Sequence, residues 1–266
     1  MSDLESNLPE EPKTAETEVD NRQEAPESTA KRISVKKPKS WVTFTLIALS
    51  VAVYLAQLMT PRSNGLNLPL IYLGKVNELI LMGQLWRLIT PIFVHGSIIH
   101  LAFNMYALYI IGNRLEVVYG HGRFCLLYFL GAFGGNVLSF VMSRNISVGA
   151  STAIFSLLAA EIALIVQNRQ FFGDQMRPVL INLGMILVVN LSIGLVPGSR
   201  IDLWGHVGGV IAGFVYAMLA GPKWKLKRVE NGVGLADTRE KKELWLAAIM
   251  VAAAFAVMAA IPFYKK

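Results

Sequence analysis

Two short motifs could support acyl transfer. Ser151 stands in G-A-S-T-A (149–153) and His206 in W-G-H-V-G-G (204–209). A serine hydroxyl becomes a useful nucleophile when an imidazole accepts its proton, and the tetrahedral intermediate that follows needs donors aimed at its oxyanion. His100 and Asn104 are four residues apart, on one face of a helix, and could be such donors. The Ser151 amide, in a first helical turn, has no intrahelical partner and adds the positive end of the helix dipole. Gly149 and Ala150 leave room for a substrate backbone. Phe155, one turn beyond Ser151, could stack on the imidazole.

Rival chemistries fit less well. A zinc peptidase of the H-E-x-x-H kind has no counterpart, because His95 and His100 are five apart with no acid beside them. No metal or other cofactor is expected. Asp202, four residues before His206, invites a triad, but a loop aspartate at the outer surface explains it better. Glu161 lies well down an apolar stretch, where a carboxylate is a candidate for proton or ion movement. With no second acid or base aligned with it, a helix-packing hydrogen bond is the expectation.

These residues must be positioned by membrane helices. Hydrophobic residues make up 54% of the 266 and charged residues only 16%, against about 45–50% and 25% in soluble domains. The single cysteine, Cys125, excludes an internal disulfide and a Cys-based metal site. The net charge of +7 could suggest nucleic acid, but the basic residues gather at helix ends, which signals membrane orientation instead. Seven apolar stretches, near 41–59, 97–115, 124–143, 150–167, 179–197, 204–220 and 244–262, are long enough or nearly so to cross a bilayer. The expected fold is an all-α polytopic membrane protein: a six-helix core and one further C-terminal helix. Residues 1–40 read as a disordered tail, acidic then basic; 41–220 as the core; 221–243 as a basic cytosolic linker; 244–266 as the seventh helix with a short outer tail.

Lys and Arg divide sixteen to seven between the two sets of connections, which puts the amino terminus in the cytosol and the carboxyl terminus across the membrane. Helices two, four and six then enter from the outer face. Their opening turns carry His100 and Asn104, Ser151, and His206, all within roughly 10 Å of the outer boundary. Residues 60–96 hold apolar side chains but no uninterrupted span, so an ordered element partly in the outer leaflet is expected, with Trp86 at headgroup depth and Arg87 reaching out. A hydrated cavity lined by His95, Ser97, His100 and Asn104 would supply water, and the fifth helix (179–197) would be the mobile gate. Gly205, Gly209 and Gly213 permit close contact between the sixth helix and the fourth. The lack of a signal or transit pattern fits a bacterial plasma membrane, with a eukaryotic secretory membrane the alternative.

W-R (86–87), H-G-S-I-I-H-L-A-F-N (95–104), G-A-S-T (149–152) and G-H-V-G-G-V-I-A-G (205–213) together resemble the rhomboid intramembrane serine proteases, over roughly residues 41–220. The seventh helix looks like that of the 6+1 arrangement. The resemblance implies a Ser151–His206 dyad without an aspartate. It also implies an oxyanion site from His100, Asn104 and the Ser151 amide, with His95, Trp86, Arg87 and Phe155 in support. Glu116 matches a structural acid at the inner end of the second helix. The partners implied are the lipid bilayer and the transmembrane segments of single-span proteins, cleaved near the outer face, with no nucleic acid. Thr152 and Ser156 depart from the family pattern, standing where many members have Gly; they would narrow the substrate channel or tighten helix packing. The other reading the resemblance leaves open is a non-catalytic relative that binds membrane clients.

Overall fold

The computed structural model describes residues 39–60, 67–196, 198–199, 201–229 and 232–264. Residues 1–38 of the expected tail (1–40) lie outside them, as do Arg62, Arg200, Lys265 and Lys266 of the charge count. Helix α1 spans Trp41–Met59, followed by short helices α2 (Leu68–Leu73) and α3 (Asn77–Leu81). Two 3₁₀ turns, Leu85–Leu88 and Thr90–Phe93, lead to a continuous helical run: α4 (Ile98–Ala107), a π-helical turn (Leu108–Gly112) and α5 (Asn113–Tyr119). Then come α6 (His121–Met142), α7 (Ser151–Gln167), α8 (Met176–Gly194), α9 (Leu203–Ala220), a hairpin of β1 (Trp224–Val229) and β2 (Gly232–Asp237), and α10 (Lys241–Tyr264). Among the described residues α1, α6, α9, α10 and the run ending in α8 are long and apolar enough to cross a membrane, and the shorter α7 is equally apolar. The protein is an all-α polytopic membrane protein in its core. The stretch 221–243, read as a linker, holds the antiparallel hairpin.

Small residues set the centre of the bundle, because in lipid helices associate by close packing rather than by apolar burial. A Cβ on Gly209 would lie 2.1 Å from the Thr152 carbonyl oxygen, and one on Gly213 would lie 2.4 Å from that of Ser156. On α6, a Cβ on Gly135 would lie 2.7 Å from the Thr152 side chain, and one on Gly131 would lie 2.1 Å from that of Ser156. Thr152 and Ser156 are therefore wedged into glycine notches of α6 and α9. Of the two outcomes expected for them, the structure has the tighter packing.

Buried polar groups tie the outer helices to this centre. Glu116 on α5 accepts hydrogen bonds from the Val42 amide (2.9 Å), the Thr43 amide (2.7 Å) and the Thr43 hydroxyl (2.6 Å), so one carboxylate satisfies the opening turn of α1. Asn168 at the end of α7 donates to Pro222 O (2.8 Å) and accepts from the Trp224 amide (2.7 Å), anchoring the hairpin.

The connection from α1 to α4 is folded, and its arginine corrects an expectation. Arg87 does not reach outward: it is 1% exposed. Its guanidinium donates to Gly74 O and Ile71 O, both at 2.6 Å, and to the Gln84 side chain at 2.8 Å. The first two acceptors are carbonyls at the end of α2 that no helical N–H can reach, and they hold the charge more firmly than the interface would. Trp86 is half exposed, and its indole N–H donates to Tyr72 O.

Candidate active site

Ser151 is the first residue of α7, and His206 lies one turn into α9. The glycine contacts between these helices close the gap between them. His206 Nε2 is 2.8 Å from Ser151 Oγ. The imidazole lies flat on Phe155, with ring centroids 4.1 Å apart and planes 11° from parallel. Asp202 does not reach the imidazole: its Oδ1 accepts from the Gly205 amide (2.9 Å) and caps α9. His206 Nδ1 has no hydrogen-bond partner among the described residues. Stacking, not a carboxylate, fixes the plane of the ring.

The chain reaches Ser151 through Gly149, whose φ of +117° favours glycine. Its amide donates to Pro91 O (2.9 Å), tying the α6–α7 loop to the second 3₁₀ turn. A Cβ here would lie 2.6 Å from the His100 ring and 3.6 Å from Asn104 Nδ2. His100 and Asn104 thus flank the strand that delivers the serine. Asn104 Nδ2 donates one proton to His100 O (3.0 Å), leaving its second amide proton free to be donated elsewhere.

His95 sits behind this front. It is 1% exposed and does not line the expected cavity. Burial, with His100 adding to it, lowers its pKa to about 4. The neutral ring accepts from the Ala150 amide (3.4 Å) and meets His100 edge to face at 5.2 Å. Gln57 on α1 clasps both backbone groups of His95 at 3.0 Å. Sequence reasoning missed Gln57, because a lone glutamine near a helix end carries no signal of a partner 38 residues away.

Ser151, His206, His100, Asn104 and Phe155 all border one cavity of about 1340 Å³, which runs along α4, α7 and α8. Ser97 borders it as expected. At its far end lie Arg114 and Glu161, joined in an ion pair. This corrects the expectation that no acid or base is aligned with Glu161: its partner, Arg114, lies at the end of the expected second span, 97–115. The helical run through the π turn extends to Tyr119, so Arg114 is inside it and faces α7.

The rhomboid-domain family model matches residues 82–223, more than half of the chain. The chain belongs to the rhomboid family. This rhomboid is 38% identical to Rhomboid protease GluP of Bacillus subtilis (strain 168), over 69% of its own length and 35% of the relative's. It is 34% identical to RHOMBOID-like protein 9, chloroplastic, and to RHOMBOID-like protein 4, both of Arabidopsis thaliana. Those matches cover 68% of this chain and 42% and 46% of the two plant proteins. The rhomboid thus spans less than half the length of each of these relatives.

Proposed function

We propose that the protein is an intramembrane serine endopeptidase that cleaves transmembrane segments of single-span membrane proteins, with Ser151 as nucleophile and His206 as general base. The observation that carries this is the 2.8 Å contact between Ser151 Oγ and His206 Nε2 at the wall of a large cavity. The relative named as a protease supports it.

The steps follow from the geometry. Ser151 Oγ attacks the scissile carbonyl carbon as His206 Nε2 takes the hydroxyl proton. The oxyanion is met by the Ser151 amide, His100 and the free proton of Asn104 Nδ2. His206 then delivers its proton to the departing amine, leaving an acyl-Ser151. A water deprotonated by the same nitrogen attacks that ester and releases Ser151. Gly149 gives the client backbone its approach, and Phe155 holds the imidazole in plane through both proton transfers.

The basic connections favour a cytosolic amino terminus, which puts the scissile bond near the outer face of a cell's plasma membrane, a bacterial one being the best fit. The ion pair made by Glu161 supports packing over the proton-transfer alternative. The test is reconstitution of the pure protein in vesicles with a panel of single-span segments. Cleavage by wild type that is lost in Ser151→Ala and His206→Ala supports the reading. Cleavage retained in Ser151→Ala overturns it.

A further inference from the structure

The cavity that begins at Ser151 does not end at the chemistry. It continues to Arg114 on α5 and Glu161 on α7, and its α8 wall carries Asn182. These three polar residues share one level. Glu161 is six residues from the inner end of α7, Asn182 six from that of α8 and Arg114 five from that of α5, or about 8–9 Å of helix rise in each case. Glu161 is nearly buried behind the arginine, whereas the Arg114 side chain is 56% exposed. Guanidinium has five N–H donors, and the ion pair leaves several of them facing the cavity. Asn182 is exposed on the cavity wall. A guanidinium and a primary amide at this depth of a membrane protein are costly to leave facing lipid. Together they present donors, with the local carboxylate already committed.

We infer that Arg114 and Asn182 form a client-binding subsite that takes a carboxylate on the membrane helix being cleaved. This rests on the proposed intramembrane cleavage for its substrate, though not for its binding. Ser151 and Glu161 are ten residues apart on α7, about 15 Å along the helix axis. A helical client whose scissile bond lies at Ser151 therefore presents to Arg114 the side chain about ten residues on the inner side of that bond. Asp or Glu at that place forms a charge-assisted, bidentate bond with the guanidinium. Asn forms a weaker one, and Lys is repelled. The subsite thus selects clients by sequence at a point far from the bond that breaks, and fixes which bond is offered to Ser151.

The test uses binding and cleavage together. Ser151→Ala protein in neutral-lipid nanodiscs is titrated, by energy transfer, with labelled single-span peptides that differ only in carrying Asp, Asn or Lys at that position. The Asp peptide is expected to bind roughly tenfold more tightly than the Asn peptide, the margin of a charged over a neutral hydrogen bond. Moving the Asp two residues along the helix, to another face, is expected to abolish the advantage. Arg114→Gln risks stranding Glu161, so the double variant Arg114→Gln/Glu161→Gln, which removes both charges, is measured beside it; in each the ratio of Asp to Asn affinity should fall to near one. Equal affinities in the parent protein, or a preference that persists in the double variant or when the Asp is moved, overturns the subsite. Cleavage of the same peptides by the Ser151 protein separates the two claims. Asp-selective binding with no cleavage of any peptide would overturn the peptidase and leave the subsite standing, whereas cleavage without selectivity would do the reverse.

Discussion

At the scale of single residues the decisive question is what holds the imidazole of His206. Phe155 lies flat against it, and Asp202 is turned to the Gly205 amide. In a serine–histidine–aspartate triad, Asp→Asn costs roughly 10⁴-fold in kcat. Here Asp202→Asn keeps an acceptor oxygen for the α9 cap and should leave kcat within about threefold of wild type, whereas Asp202→Ala should cost about 1 kcal/mol of stability through the lost cap. Phe155→Ala should lower kcat by roughly 10-fold or more with KM little changed, since it disturbs proton transfer rather than client binding; Phe155→Tyr keeps the stacked ring and should recover most of it. Steady-state kinetics on one client peptide checks both variants. A fall of several hundredfold for Asp202→Asn would mean that the carboxylate swings to the imidazole during turnover. The sequence carries Ser151 and His206 legibly because each is framed by glycines at the opening of an apolar helix. Arg87 was misread for a physical reason: an arginine near an interface usually extends to water, and its true acceptors are the carbonyls of a helix, α2, too short to show a hydrophobic period.

At the scale of elements, the distance between Ser151 and His206 is set by how deeply α9 sinks against α7. Gly209 is the contact that matters most, for a Cβ there meets the Thr152 carbonyl at 2.1 Å, which no side-chain rotation relieves. Gly209→Ala should therefore cost about 1–3 kcal/mol through overpacking and, by lifting α9, remove most cleavage even where the protein still folds. Gly184 on α8 is the internal control. A Cβ there meets nothing within 4 Å, so Gly184→Ala should be neutral or stabilise by up to about 1 kcal/mol through helix propensity alone. Unfolding in mixed micelles, followed by circular dichroism, gives both values. The spacing of Gly205, Gly209 and Gly213 announces in the sequence the contact with the fourth span, α7, but what packs on the other side of that span is not written there. Thr152 and Ser156 show why: a small β-branched or hydroxyl-bearing side chain reads equally well as channel lining or as packing, and only the presence of Gly131 and Gly135 on α6 decides it. The pairing of Arg114 with Glu161 escaped for a similar reason: Arg114 falls at the end of the expected span 97–115, and the π turn before it, which shifts the face it presents, carries no compositional mark.

For the whole molecule, the proposed cleavage poses the question of how a client helix would reach a serine walled by its own bundle. The helices differ sharply in how they are held. Most of α6 and α7 is buried, whereas on α8 the one buried residue among those described is Leu183. The cavity runs between α8 and α4, with Phe103 on one side and Asn190 on the other. Phe103 is five residues from the Ile98 end of α4 and Asn190 four from the Gly194 end of α8, so each stands about 6–8 Å from its helix end. A loosely packed helix beside a cavity is the element most able to move aside, and the expectation of a gate at the fifth span acquires a location here. Phe103→Cys with Asn190→Cys, in a Cys125→Ser background, should crosslink with a short bifunctional thiol reagent. Cleavage of a membrane-embedded client should then fall at least tenfold and return when a reducible linker is cut. A small serine-directed phosphonate, which reaches Ser151 from the aqueous end of the cavity without passing between the helices, should still label the locked protein at close to the free rate. If locking blocked the phosphonate as well, the crosslink would have distorted Ser151 and His206 and the entry route would be untested by it; the control for that outcome is the same linker placed between α6 and α10, which pack directly against each other away from the cavity. Unimpaired client cleavage in the locked protein would place the entrance elsewhere, and the exposed face of α8 would then have to be explained by lipid contact alone.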